Sequence, residues 1–186
     1  MTLVTSATDV ALANIGLITA DAVTLADVER VVAPDHVNHE AHNEPLECRR
    51  PGPLGLLATR YWLRSAFERF DFEILDVAED GPLVALRCEV TARHTGDFVF
   101  CDPAGDVKDA FPPTHREARI NQTHWFTVLD GLAVEHRATR DDLGMALQLG
   151  WVPPKPPYLV GMALAKRRVR RAMADGTAPW QLAALS

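Results

Sequence analysis

The sequence predicts an α+β fold, a curved antiparallel sheet wrapped around N-terminal helices, with an extra helix at the C-terminus. Three observations carry this. Apolar residues recur at helical spacing in segments up to Phe70. In the runs from Phe72 to Glu79, Leu83 to Thr95 and Ala118 to Arg140 apolar and polar residues alternate with period two. Asp80-Gly81 and Asp130-Gly131 punctuate those runs, and Asp-Gly between alternating runs is the strongest short-range hairpin signal.

Taken in order, Thr8 to Ala20 reads as a first helix, with Ala11, Leu12, Ile15 and Ile18 at helical spacing. Thr24, followed three positions later by Asp27, fits a capping box opening a second helix that runs through VERVV and stops near Ala33-Pro34. A polar stretch, DHVNHEAHNEPLECRRPGPLG, reads as a loop. It holds His36, His39 and His42, and whether these only tie the loop down or serve a site stays open at this point. Pro53 to Phe70 is the clearest helix, with Pro in its first turn and a stripe of Leu54, Leu57, Ala58, Tyr61, Trp62 and Ser65. Strands follow from Phe72 to Glu79 and from Leu83 to Thr95, the second with Val84, Leu86, Cys88, Val90 and Ala92 on one face. Phe98 to Pro113, rich in Asp, Gly and Pro, reads as a long loop. A hairpin through Asp130-Gly131 and a short helix complete the sheet region, and Trp151 to Tyr158 reads as an extended proline link. Leu159 to Ala174 is amphipathic, with a basic cluster from Lys166 to Arg171, and is expected to dock on its own domain or a dimer partner.

The 186 residues suit one domain over 1–150, with 151–186 as an extension and not a separate domain. With 47% hydrophobic and 24% charged residues, the composition is that of an ordinary globular protein. A net charge of −6 argues against general nucleic-acid binding. No apolar run approaches the ~20 residues that span a bilayer, so no membrane partner is expected. The N-terminus lacks a basic leader and carries Asp9 in its apolar stretch, making a poor signal peptide. Cys48, Cys88 and Cys101 are odd in number and follow no metal spacing, which favours reduced thiols and a cytoplasmic location. His39-Glu40-Ala41-His42 falls one residue short of a zinc-binding H-E-x-x-H, and no metal is expected.

The hairpin from Ala118 to Arg140 is the most informative stretch. One face of its first strand carries Ala118, Ile120, Gln122, His124, Phe126 and Val128, and one face of its second carries Leu132, Val134, His136, Ala138 and Arg140. Large apolar groups mixed with imidazole, amide and guanidinium suit the wall of a ligand pocket better than a plain core.

The segments Val32-Ala33-Pro34-Asp35-His36-Val37-Asn38-His39, Gly52-Pro53, Thr91-Ala92-Arg93-His94-Thr95-Gly96, Phe111-Pro112-Pro113-Thr114, Asp130-Gly131, Val134-Glu135-His136, Arg140-Asp141-Asp142-Leu143-Gly144 and Gln148-Leu149-Gly150 cover about residues 10–150. Together they resemble the SnoaL-like polyketide (ester) cyclase family of the NTF2-like superfamily. The resemblance implies an intramolecular aldol-type ring closure by acid–base catalysis without metal or cofactor. It implies a strand histidine, which matches His124, and an acid on the last strand. Here Arg137 and Ala138 stand where the family pattern has Trp and that acid. Alanine transfers no proton.

The expected catalytic groups are therefore His124, His136 and Asp141, with Asp141 or Asp142 orienting a histidine, although Asp142 equally fits a helix cap. Asn38, His39, Trp62, Gln122, Phe126 and Arg140 are the expected substrate-binding residues. Gln122, Asn38 or Arg140 would stabilise an enolate oxygen. The expected partner is a small, mostly apolar, oxygenated substrate, with a homodimer formed through the sheet. Two functions stay open: a cofactor-independent cyclase or related lyase, isomerase or hydrolase, and a non-catalytic binding or dimerisation module of the same fold.

Overall fold

The computed structural model describes residues 6–181. Residues 1–5 and 182–186 lie outside the described residues. Helix α1 (Ala7–Thr19) starts at Ser6, whose side chain accepts the Asp9 N–H while Asp9 accepts the Ser6 N–H. Helix α2 (Leu25–Glu29) opens on the expected Thr24–Asp27 capping box but lasts only five residues. Helix α3 (Pro53–Ala66) begins after Gly52, whose φ of 77° and approach to the Pro34 carbonyl leave no room for a Cβ.

The main sheet has the order β1-β7-β6-β3-β2, formed by β1 (Val32–Asn38), β2 (Phe67–Asp80), β3 (Leu83–His94), β6 (Glu117–Leu129) and β7 (Leu132–Arg140). Strand β1 runs parallel to β7 and the remaining pairs are antiparallel. The sheet curves over α1 and α3, and Val84, Leu86, Cys88, Val90 and Ala92 of β3 face the core between them, none more than 1% exposed. Its outer face carries ion pairs such as Arg87–Asp76 and Arg93–Glu68.

Four sequence expectations need correction. Residues 32–38 form an edge strand and not the end of a helix and a loop; the edge tolerates Pro34, which has no N–H for the ladder. The long helix ends at Ala66, and Phe67 to Phe70 already belong to β2. The segment 98–113 is not a plain loop, since β4 (Phe98–Cys101) and β5 (Val107–Phe111) pair as a separate hairpin. Helix α5 (Pro156–Ala174) begins inside the proline link, where Pro suits a first turn.

The turn through Asp130 (φ 51°) and Gly131 (φ 77°) is the two-residue loop expected. Beyond it Val134 is an extra residue, because Thr127 pairs with Glu135 while Val128 pairs with Ala133. This bulge puts Ala133 in the core in place of Val134. Helix α4 (Asp142–Leu149) ends at Gly150 in the left-handed conformation, φ 76°. Helix α5 lies along β5, with Ala165 and Val169 buried, Lys166 Nζ donating to the Lys108 carbonyl at 2.6 Å and Arg168 gripping both Asp97 oxygens. No described helix is long and apolar enough to cross a membrane.

Candidate active site

Gln122 and His124 sit two positions apart on β6 and so share the inner face. Cross-strand register places Ala138 opposite His124, and His136 opposite Phe126. The parallel edge strand sets Asn38 beside His136. The result is a row of four side chains. His124 Nδ1 lies 2.9 Å from His136 Nε2, His124 Nε2 lies 2.9 Å from Gln122 Oε1, and His136 Nδ1 lies 2.9 Å from Asn38 Oδ1. Phe72 meets His124 edge-on and Phe126 packs against both rings.

Burial, and secondarily the Arg140 cation, holds His124 at about 4. Burial, then His124, holds His136 well below the usual histidine range. Both rings are therefore neutral at pH 7, with one proton each. Asn38 Oδ1 also accepts the Glu40 N–H at 3.1 Å, which fixes the amide with its oxygen toward His136. His136 must then carry its proton on Nδ1, and its bare Nε2 accepts from His124 Nδ1–H. That leaves His124 Nε2 unprotonated, and a half-turn of the Gln122 amide gives it an N–H to accept. A proton added to the pair lands on His124 Nε2 and favours the opposite amide orientation, with Oε1 accepting. The row thus has one basic nitrogen, at the Gln122 end.

All four groups line a mostly apolar, partly open cavity of ≈ 120 Å³ between the sheet, α1 and α3. Asn14 Nδ2 and His36 Nε2 also belong to residues of its wall, are buried, and find no hydrogen-bond partner among the described residues. Unpaired buried polar atoms in a cavity wall are costly unless a bound molecule or water meets them. Trp62, Phe126 and Arg140 line the same cavity, Trp62 with its Nε1–H on the Val99 carbonyl at 3.0 Å and Arg140 beside Asp142 at 3.4 Å.

Two expected site residues fall elsewhere. His39 follows Asn38 by one position, so it turns to the outer face, where it meets Glu135 at 3.4 Å. Asp141 caps α4 by accepting the Gly144 N–H at 2.7 Å and does not touch either histidine; Asp142, not Asp141, reaches the cavity rim. Sequence reasoning missed Asn14, buried on α1 among apolar residues, and Glu44, in a loop without periodic signal. His94, from a segment carrying the family resemblance, accepts the Thr114 N–H on Nδ1 at 3.2 Å and packs against Trp151, a structural role. Among the described residues no group of three or more His, Cys, Asp or Glu side chains converges on a metal position.

The model of the SnoaL-like polyketide cyclase family matches residues 14–149, and the chain belongs to that family. It is 30% identical over 140 residues to the aklanonic acid methyl ester cyclase DauD of Streptomyces sp. (strain C5), spanning 70% of this chain and 80% of that protein. It is 28% identical over 125 residues to the nogalonic acid methyl ester cyclase of Streptomyces nogalater, spanning 67% of this chain and 84% of that one. The fold also matches crystal structures of IdmH from Streptomyces antibioticus (TM-score 0.60, 24% identity, 78% of this chain and 99% of that) and TsrD from Streptomyces laurentii (TM-score 0.58, 19% identity, 75% and 92%).

Proposed function

We propose that this protein closes a ring in a polyketide methyl ester by an intramolecular aldol reaction that needs no cofactor. The observation that carries the reading is the single basic nitrogen, His124 Nε2, in the wall of an apolar cavity. That nitrogen removes a proton from carbon next to a carbonyl. The carbanion adds to a second carbonyl of the same molecule, and the oxygen there takes up a proton, so the product is an isomer of the substrate. A histidine held near 4 is a weak base. It matches a C–H activated by two electron-withdrawing groups, as lies between the carbonyls of a polyketide chain. Asn14 and His36, each with an unpartnered buried nitrogen in the cavity wall, are the further groups available to substrate oxygens.

Ala138, facing His124, favours a second reading in which the cavity binds such a molecule without turning it over. Incubation with aklanonic acid and nogalonic acid methyl esters separates the two. Ring closure gives a product of unchanged mass and altered chromatographic retention. Saturable binding with no such product, for either ester, contradicts the enzymatic reading.

A further inference from the structure

The strand acid is missing, yet the cavity is not short of carboxyl groups. The loop after β1 brings two, Glu40 and Glu44, into its wall. Glu40 accepts the Ala138 backbone N–H on Oε1 at 3.1 Å. Glu44 lies deeper, 4% exposed, in the cavity wall with His124, Gln122 and Arg140. It also lines an adjoining, more polar cavity of ≈ 250 Å³, so it stands where the two meet.

We propose that Glu44 is the catalytic acid of this site, delivering to the new alkoxide the proton that a strand acid at Ala138 would have supplied. The assignment rests on the ring-closing reading above.

The carboxyl is held by hydrogen bonding and not by an ion pair. Thr59 Oγ1 donates to Oε2 at 2.9 Å and is the only side-chain partner among the described residues, leaving Oε1 for substrate. The backbone is anchored independently: its N–H donates to the Ala41 carbonyl at 3.0 Å, and its own carbonyl accepts Arg49 Nε at 2.8 Å. The nearby cations are engaged elsewhere, Arg49 also on the Asp102 and Pro103 carbonyls and Arg140 with Asp142. Glu40 and the buried Cys48 thiol are further titratable groups around it, and His42, Lys108, Asp109 and Asp142 line the adjoining cavity. Burial is the largest influence and raises the carboxyl to about 7, against the opposing Thr59, Arg140 and Arg49. A buried carboxyl that keeps its proton near neutrality is suited to donate it.

The protons balance. His124 Nε2 takes one from carbon as the C–C bond forms and the carbonyl electron pair moves to oxygen. Glu44 Oε1–H gives one to that oxygen. The imidazolium and carboxylate left behind recover their starting states by one proton passing between them through solvent, with no net change.

The test is the pH dependence of kcat for the methyl ester turned over in the assay above, in wild type and Glu44→Gln, together with a ¹³C titration of glutamate-labelled free protein. Glutamine keeps the Thr59 contact and the size of the side chain, and thermal unfolding checks that the variant folds. Wild type is expected to fall on the alkaline side near pH 7 and on the acid side near pH 4. Glu44→Gln is expected to lower kcat by roughly 10²–10⁴-fold and to lose the alkaline limb. One glutamate resonance titrating near 7 should vanish in the variant. Wild-type kcat in Glu44→Gln while His124→Ala is inactive, or a Glu44 resonance titrating in the ordinary carboxylate range, overturns the assignment and leaves the ring-closing reading standing. Absence of turnover by wild type overturns that reading and the assignment with it.

Discussion

At the scale of single residues, proton direction follows from one fixed amide. Because Asn38 is oriented by the Glu40 N–H, the protons of both histidines are fixed in turn. Gln122→Glu tests this. A carboxylate beside His124 Nε2 only accepts, so it favours the charged imidazole and should raise His124 from about 4 toward its ordinary range. NMR of the histidine ring protons would show the shift; an unmoved His124 would mean that Gln122 does not govern that nitrogen. Period-two reading made Gln122, His124, Phe126, His136 and Arg140 legible, since each lies on a strand whose inner face the alternation reveals. His39 was misplaced because residues 32–38 were not recognised as a strand, and in a strand its neighbour Asn38 takes the inner face. Asp141 and Asp142 are adjacent carboxylates, and only capping geometry shows which one holds the helix. Glu44 and Asn14 were invisible because burial in a loop and on a helix depends on contacts with distant segments.

Among the elements, the β4–β5 hairpin and α5 form a support outside the main sheet. Trp151 stacks on Phe111 at 4.5 Å and on Phe98 at 5.5 Å, and Phe98 in turn stacks on Trp62 of the cavity wall at 4.8 Å. Trp151→Ala should therefore destabilise by about 3–5 kcal/mol, as deletion of a buried aromatic does. Arg168→Ala removes an exposed ion pair with Asp97 and should cost at most about 1 kcal/mol. Urea midpoints of the two variants check the contrast, and equal losses would contradict this division between aromatic stack and surface charge. The hairpin itself was hidden in the sequence. Its strands have four and five residues, and Asp102-Pro103-Ala104-Gly105-Asp106 between them is a loop by any local measure. The long strands and the Asp-Gly turn were legible because they satisfy local and tertiary preferences at once.

For the whole molecule, burial of imidazoles sets the response to acid. His36, His94 and His124 are nearly inaccessible and each is held at about 4, chiefly by burial. Unfolded, each binds a proton near 6.5, so between these values the unfolded chain holds more protons than the folded one. Stability is then fully present above about 6.5 and lost as pH falls to about 4, by on the order of 3 kcal/mol for each histidine. Glu44, raised to about 7 from 4.5, acts in the opposite sense, with stability declining as pH rises between these values, but it is one group against four, since His136 is lowered as well. Denaturant unfolding followed by circular dichroism from pH 7 to pH 4 should show a steep decline. A flat profile would mean that the histidines are charged in the fold and that the proton order of the site is wrong. On the ring-closing proposal, His124 performs the proton transfer in this cavity. The most direct measurement is the rate of ring closure by wild type and by His124→Ala at pH 6 with aklanonic or nogalonic acid methyl ester. A loss of roughly 10²–10⁴-fold with unchanged ester binding is expected, and an unchanged rate in the variant would contradict the claim.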